Sequence, residues 1–130
     1  RNGPLTRLEA RDGPYGAVVD LVEAPGAMPA RMGRGSVHHI AFRAKDDADQ
    51  AEMAARLAAD HRMQVTEQRD RNYFRSVYFR EPGGVLFEIA TDAPGFAVDE
   101  AQEALGQALK LPPQYEKHRA EIEKILPALG

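Results

Sequence analysis

The stretch Tyr73–Thr91, YFRSVYFREPGGVLFEIAT, contains two largely apolar runs separated by a Glu-Pro-Gly-Gly turn. β-branched and aromatic residues predict strands at Tyr73–Arg80 and Val85–Thr91, and proline and glycine are typical of the turn between paired strands. A three-residue Pro-Gly-Gly loop would set Tyr78 directly opposite Glu88, on the same face of the hairpin. The sequence therefore predicts a β-hairpin that pairs these two polar side chains.

The second strand of this hairpin has one apolar face and one face that carries a carboxylate. Phe87 and Ile89 point to the first face, and Leu86, Glu88 and Ala90 point to the other. A carboxylate buried without a partner is costly, and a metal ion is one partner that it can take. Two interpretations stay open: Glu88 is a ligand on a buried face, or it is an ordinary residue on a solvated face.

The residues before the hairpin complete a β-α-β-β-β unit. Strands are expected at Val37–Arg43 and Met63–Arg69, with a helix at Ala48–Asp60 that has Asp46 or Asp47 as its N-cap. This order predicts a compact module of the α+β class.

Two adjacent histidines, His38 and His39, open the first strand of this unit. Alternation along a strand would put them on opposite faces, so at most one is expected to bind a metal directly unless the strand bends. The pattern alone leaves open whether His39 is a ligand or a hydrogen-bonded histidine of the core or surface.

The flanking residues predict a hairpin, a linker and a helical extension. Strands are expected at Leu5–Ala10 and Ala17–Glu23, and helices at Val98–Lys110 and Pro113–Leu126. The chain is thereby divided into residues 1–23, the last hairpin of a preceding module; 24–36, a linker rich in proline and glycine; 37–92, the β-α-β-β-β module; and 93–130, the extension. Because the chain opens at Arg1 in what is expected to be a strand, we expect it to be a piece of a longer protein.

Composition excludes several classes of protein. Hydrophobic residues make up 43% of the 130 residues, which is enough for a core, and the net charge of −3 with scattered basic residues argues against a nucleic-acid partner. The chain has no cysteine, which rules out disulfides and thiolate metal sites. No apolar run approaches the roughly 20 residues of a membrane helix. We expect a cytoplasmic protein without a membrane partner.

Three parts of the chain carry a resemblance to a known family. They are the strand Val37–Arg43, the stretch Asn72–Asp92, and the tail with Leu109–Pro113 and His118–Glu123. The run YFRS followed by EPGG and FEIA is specific, whereas a His-His pair is common. Together they resemble glyoxalase-fold (vicinal oxygen chelate) ring-cleaving dioxygenases of the hydroquinone 1,2-dioxygenase type, over about residues 15 to 128. The resemblance implies a βαβββ glyoxalase-fold module with a preceding β-hairpin and a C-terminal two-helix extension.

The resemblance also implies roles for five residues. His39 and Glu88 match two metal ligands, and His38 matches a histidine beside the metal. Tyr78 and Arg71 match residues that contact or orient the aromatic substrate. Tyr78 could donate a hydrogen bond to a substrate oxygen, and Arg71 could stabilise its negative charge.

The implied activity is ring cleavage of a hydroquinone- or catechol-like aromatic by O2, with Fe(II) or Mn(II) as the metal. Two histidines and one carboxylate hold such a metal on one face, and the second histidine of the family's set is expected to lie outside this chain. We therefore expect a homodimer, or pairing with a missing N-terminal module. Two alternatives remain: a metal-free or incomplete glyoxalase-fold binding module, and a metal-dependent lyase or isomerase of the same fold.

Overall fold

A computed structural model of the protein describes residues 4–9, 18–28 and 31–127. The chain forms two compact units, Arg1–Ser36 and Val37–Gly130. The predicted turn at residues 11–16 lies outside the described residues, as do the strand ends predicted at Ala10 and Ala17.

The first unit contains an antiparallel pair of strands, β1 (Leu5–Glu9) and β2 (Val18–Val22). Arg7 lies opposite Asp20 in this pair, and its guanidinium donates to both carboxylate oxygens at 2.7 Å. The hydrogen bond from Arg7 lowers the pKa of Asp20 below its ordinary value. The two strands predicted before the linker are thus confirmed.

The second unit is built on a four-stranded sheet with the strand order β3-β6-β5-β4. β3 runs parallel to β6, and the other neighbours are antiparallel. The strands are β3 (Ile40–Arg43), β4 (Arg69–Asp70), β5 (Arg75–Arg80) and β6 (Leu86–Ala90), and the helix α1 (Asp47–His61) follows β3. The predicted α+β class is confirmed. The first strand starts at Ile40, three residues later than expected.

The helix α1 begins and ends where its sequence predicts. The carboxylate of Asp46 accepts a hydrogen bond from the backbone N–H of Asp49 at 2.9 Å, so Asp46 is the N-cap. Arg62 ends the helix in the left-handed conformation, with φ of 54°.

One face of the sheet packs against α1 and forms the core. Ala44, Val77, Phe79 and Ile89 are buried there, and Met53, Ala54, Leu57, Met63, Val65 and Phe87 pack around them. This is the face that Phe87 and Ile89 were expected to share, because alternation sends both side chains to one side of β6. The other face of β6, which carries Glu88, is left for the site.

A buried glutamine joins α1 to the sheet. Gln50 is 1% exposed, and its amide nitrogen donates to the carbonyl oxygens of Arg75 at 3.0 Å and Ile89 at 2.8 Å. Its side-chain oxygen accepts from Gln68 at 2.7 Å. The helix is therefore tied by hydrogen bonds to both strands of the central hairpin.

The strand predicted at Met63–Arg69 is largely absent. Regular pairing is confined to Arg69–Asp70, with an isolated bridge between Val65 and Phe79. The hydroxyl of Thr66 accepts from the backbone N–H of Tyr78 at 3.0 Å, a place that a backbone carbonyl would fill in a ladder. The Thr66 side chain therefore interrupts the strand that the composition of Met63–Arg69 favours.

The predicted two-helix extension is wrong in its first half. The residues of Val98–Lys110 form no α-helix; single 3-10 turns occur at Phe96–Val98 and Gln102–Ala104. Ala101 and Leu105 have extended ψ angles of 145° and 126°, and Gly106 has a φ of 78°. The segment buries no side chain fully, so no tertiary contact offsets the entropy of forming a helix there.

The second half of the extension is helical. A 3-10 segment, Pro113–His118, leads into the helix α2 (Arg119–Ile125). Arg119 pairs with Glu116 at 2.6 Å and with Glu123 at 3.1 Å. Among the described residues, no helix has both the length and the apolarity that a membrane crossing requires.

Candidate metal centre

Parallel pairing of β3 with β6 brings His39 to Glu88. Ala41 pairs with Glu88, and His39 lies two residues before Ala41, just ahead of the first residue of β3. The Nε2 atom of His39 lies 2.7 Å from the Oε2 atom of Glu88. The structure therefore places the two predicted metal ligands side by side.

Glu88 is buried, and both of its carboxylate oxygens have partners. The residue is 2% exposed, so it does not lie on a solvated face. Tyr78 pairs with it across the hairpin, as the turn predicted, and the Tyr78 hydroxyl donates to Oε1 at 2.9 Å. Oε1 is thus engaged by Tyr78, and Oε2 faces His39.

His38 and His39 contact each other, although strand alternation predicted opposite faces. Their Nδ1 atoms lie 2.8 Å apart, and their rings meet edge to face with centroids 5.1 Å apart. Alternation fails because β3 begins only at Ile40, so neither histidine is held by strand pairing. A hydrogen bond between the two Nδ1 atoms leaves the Nε2 atom of His39 directed at Glu88.

Arg71 contacts Tyr78, which separates it from Glu88 and His39. Its guanidinium donates to the Tyr78 hydroxyl at 3.3 Å and to the Ser76 hydroxyl at 3.4 Å, both long bonds. The sequence alone did not separate Arg71 from its neighbours Arg69 and Arg75. Arg75 pairs with Asp47, and the guanidinium carbon of Arg69 lies 6.0 Å from the Tyr78 ring centroid, against 5.3 Å for Arg71.

Ser76 belongs to the same cluster, and the sequence analysis missed it. It is 0% exposed, and its hydroxyl donates to the Tyr78 hydroxyl at 3.1 Å. The available signal was its position two residues before Tyr78, which puts both side chains on one face of β5. Nothing in residue type alone marks a serine in a strand as part of a site.

The donor atoms of His39 and Glu88 fit a divalent metal. Imidazole nitrogen with carboxylate oxygen is the donor set of non-haem iron sites. Two bonds of about 2.1 Å at a right angle would separate such donors by about 3 Å, close to the 2.7 Å observed between Nε2 and Oε2. Within the part of the chain that the structure describes, no group of three metal-ligating side chains occurs, so this pair would supply only part of a coordination shell.

The two other histidines lie outside this cluster. His61 is the last residue of α1. His118 precedes α2, where its Nδ1 atom lies 3.6 Å from Glu121. Both are exposed.

An open cavity adjoins Tyr78 at the C-terminal end of α1. Its volume is about 660 Å³, which is in the range of small-molecule sites. It is lined by residues 61–66 together with Tyr78, Phe79, Arg80, Pro82 and Leu86, whereas His39 and Glu88 do not line it. Tyr78 is therefore the one candidate site residue that this cavity shares with the cluster around Glu88, among the residues that the structure describes.

Comparison with known proteins adds the family context. The description "Glyoxalase/Bleomycin resistance protein/Dioxygenase superfamily" belongs to the family model that matches residues 6–89. "Putative ring-cleaving dioxygenase MhqO" of Bacillus subtilis (strain 168) is 55% identical over 124 residues, covering 95% of this chain and 39% of that protein. "Chlorohydroquinone/hydroquinone 1,2-dioxygenase" of Sphingobium indicum is 36% identical over 126 residues, covering 94% of this chain and 38% of that protein.

A solved structure is similar as well. The crystal structure of a "putative dioxygenase" from Bacillus subtilis superimposes with a TM-score of 0.84 at 52% identity, covering 98% of this chain and 40% of that one. The chain thus spans about two fifths of the length of these relatives.

Proposed function

Because this chain belongs to the Glyoxalase/Bleomycin resistance protein/Dioxygenase superfamily, we propose that it is the metal-bearing C-terminal part of a ring-cleaving dioxygenase. The resemblance noted in the sequence and the glyoxalase fold that it implied are confirmed. The observation that carries the proposal is the buried Glu88 carboxylate, held between His39 and Tyr78. A carboxylate buried in this way needs a cationic or hydrogen-bonding partner on each oxygen.

In this proposal His39 and Glu88 are two of three metal ligands. Fe(II) is the favoured metal, and Mn(II) is accepted by the same donor types. The third ligand, a histidine, comes from the remainder of the longer protein or from a second copy in a dimer. His39 would hold the metal through Nε2 and Glu88 through Oε2, the two atoms that lie 2.7 Å apart.

The bound metal supplies the electron transfer between an aromatic diol and O2. His38 supports this site through its contact with His39. When Nε2 of His39 is a ligand, its hydrogen is on Nδ1 and is donated to Nδ1 of His38. The hydrogen of a neutral His38 is then on its own Nε2, from which the exposed ring can donate a hydrogen bond to a substrate oxygen.

Tyr78 and Arg71 form the substrate side of the proposed site. Tyr78 holds the Oε1 atom of Glu88 and also lines the adjoining cavity. Arg71 is exposed and has N–H groups directed at the Tyr78 oxygen, where a negatively charged diol oxygen would be stabilised. The proposed substrate is a hydroquinone- or catechol-like aromatic. We also retain cytoplasmic location as part of the proposal, with which the absence of cysteine agrees.

The test is oxygen uptake by the intact protein, loaded with Fe(II) without air and then supplied with hydroquinone or, separately, catechol. Uptake that depends on the aromatic and is lost in His39→Ala and Glu88→Ala supports the proposal. The matched controls are His118→Ala and Glu121→Ala, because they remove an exposed histidine–glutamate pair from the same chain. These controls are expected to keep full activity.

Two other results would count against the dioxygenase. Metal binding without oxygen uptake, with turnover of a substrate in the absence of air, would favour the lyase or isomerase alternative. Failure of the intact protein to bind Fe(II) or Mn(II) would favour a metal-free binding module.

A further inference from the structure

Ser76 is a fully buried polar residue whose side-chain hydrogen bonds, within the described part of the chain, all go to residues of the candidate site. It lies on β5, two residues before Tyr78, and is 0% exposed. Its hydroxyl has two neighbours: it donates to the Tyr78 hydroxyl at 3.1 Å and accepts from Nε of Arg71 at 3.4 Å. A buried hydroxyl that lacks an acceptor for its hydrogen is unfavourable, so these neighbours decide its orientation.

Counting hydrogens sets the direction of every bond in the cluster. Arg71 can only donate, so the Ser76 oxygen accepts from it. The Tyr78 oxygen is the one acceptor that the structure shows, in the residues it describes, for the Ser76 hydrogen. Tyr78 therefore accepts from Ser76 and, more weakly, from Arg71, and the single hydrogen of its phenol is directed to Oε1 of Glu88 at 2.9 Å.

We propose that Ser76 is a positioning residue that fixes the Tyr78 hydrogen on Oε1 of Glu88 and thereby reserves Oε2 for the metal. The inference rests on the proposed function, because it assumes that Glu88 is a ligand. It also changes the role expected of Tyr78: its hydrogen is committed to Glu88 and not to a substrate oxygen. Substrate would meet the ring of Tyr78 and the guanidinium of Arg71.

Loss of the Ser76 hydroxyl would weaken the hold on the Tyr78 hydroxyl and, through it, on Glu88. In Ser76→Ala the Tyr78 oxygen keeps only its long contact with Arg71, so the phenol is held less firmly over Oε1 of Glu88. A carboxylate with a looser contact at Oε1 can turn, and Oε2 is then no longer fixed for the metal. Removing a group that orients a metal ligand costs about 10- to 100-fold in metal affinity.

The first measurement is the dissociation constant of Mn(II), read from the electron paramagnetic resonance signal of free Mn(II), for the intact protein. Ser76→Ala is expected to weaken binding by about tenfold, and Ser76→Thr, which keeps a hydroxyl, to restore most of it. The matched control is Val77→Ala. Val77 is the next residue of β5, is buried on the opposite face, and touches the core instead of the site.

Val77→Ala is expected to lower the thermal midpoint without changing the Mn(II) constant. The proposal is overturned if Ser76→Ala binds Mn(II) like the wild type. It is also overturned if Val77→Ala weakens binding as much as Ser76→Ala, because Ser76 would then act only through stability.

A second measurement needs no metal and separates this inference from the proposed function. The tyrosine doublet in ultraviolet resonance Raman spectra reports whether a phenol donates or accepts hydrogen bonds, and subtraction of Tyr78→Phe isolates Tyr78. Ser76→Ala should shift the Tyr78 doublet away from the acceptor pattern, whereas Val77→Ala should not. If the wild type binds no Mn(II), the proposed function fails. An unchanged doublet overturns the assignment of Ser76.

Discussion

At the scale of single residues, the site depends on how one buried carboxylate is satisfied. Glu88 has two oxygens, one bonded to Tyr78 and one beside His39. Tyr78 reaches Glu88 across the hairpin from β5, whereas His39 lies just before β3, which pairs with the other edge of β6. A carboxylate in this position is stable only while both contacts persist, because burial removes the water that would otherwise replace them.

Tyr78→Phe should therefore destabilise the metal-free protein. Oε1 of Glu88 would lose its donor inside the fold, at an expected cost of roughly 1–3 kcal/mol. The measurement is urea denaturation of the intact protein. Tyr115→Phe is the control, since Tyr115 is 51% exposed and should change stability by less than about 0.5 kcal/mol. Equal stability of Tyr78→Phe and the wild type would show that this hydrogen bond contributes nothing.

At the scale of elements, the helix α1 holds the two site strands in register. The Gln50 amide donates to the carbonyl oxygens of Arg75 on β5 and Ile89 on β6. Ile89 directly follows Glu88 in the chain. A hydrophobic side chain at position 50 would pack against the sheet but remove a donor from both carbonyls, leaving the Arg75 carbonyl with the Thr91 N–H alone. The helix is therefore attached by polar as well as apolar contacts.

Gln50→Leu is expected to lower the free energy of unfolding by about 2 kcal/mol or more, because two buried acceptors lose a donor. Thermal and urea denaturation would measure the loss. Gln107→Leu is a suitable control: Gln107 is exposed and makes a single local bond to the Glu103 carbonyl. A Gln50→Leu protein as stable as this control would mean that water or a backbone shift replaces the lost bonds.

The start of α2 should respond to acid. The hydrogen bond from Arg119 lowers the pKa of Glu116 below its ordinary value of 4.5. A lowered pKa means that the pair stabilises the fold above pH 4.5 and that this contribution is lost as the pH falls through the lowered value. In Arg119→Met the pKa of Glu116 should rise toward 4.5, as followed by carbon NMR of its carboxyl group.

Lys124→Met provides the comparison for this titration. Lys124 lies in the last turn of the same helix, and its removal takes away one positive charge without touching Glu116. An equal rise of the Glu116 pKa in both variants would assign the effect to overall charge and not to the Arg119 contact.

At the scale of the whole molecule, the proposed metal links folding to binding. A ligand that binds only the folded state stabilises it by an amount set by its concentration relative to the dissociation constant, about 2.7 kcal/mol at a hundredfold excess. Mn(II) should therefore raise the thermal midpoint of the intact wild-type protein. Glu88→Ala should abolish the shift.

Glu121→Ala should preserve this Mn(II)-dependent shift, since Glu121 is an exposed carboxylate near an exposed histidine. The comparison is between shifts, so a lower starting midpoint in either variant does not affect it. A full shift in Glu88→Ala would exclude Glu88 as a ligand.

Local pattern was sufficient for the central hairpin and for the helix. The Pro-Gly-Gly loop after Glu81 sets the register that pairs Tyr78 with Glu88, because the turn and the strands are adjacent in sequence. The capping aspartate Asp46 likewise acts within one turn of its own helix. Neither feature requires knowledge of the rest of the chain, and the most specific part of the family resemblance, YFRS followed by EPGG and FEIA, lies in the same hairpin.

Tertiary packing decided the features that join distant residues. The parallel pairing of Ile40 with Phe87 crosses the whole module, and only this pairing brings His39 to Glu88. The burial of Ser76 also depends on tertiary packing, because a serine in a strand becomes buried only when other residues pack over its face of the sheet. The segment Val98–Lys110 buries no side chain fully against the rest of the fold, and it did not form the predicted helix. Local propensities are worth less than about 1 kcal/mol per residue, and burial against the rest of the fold outweighs them.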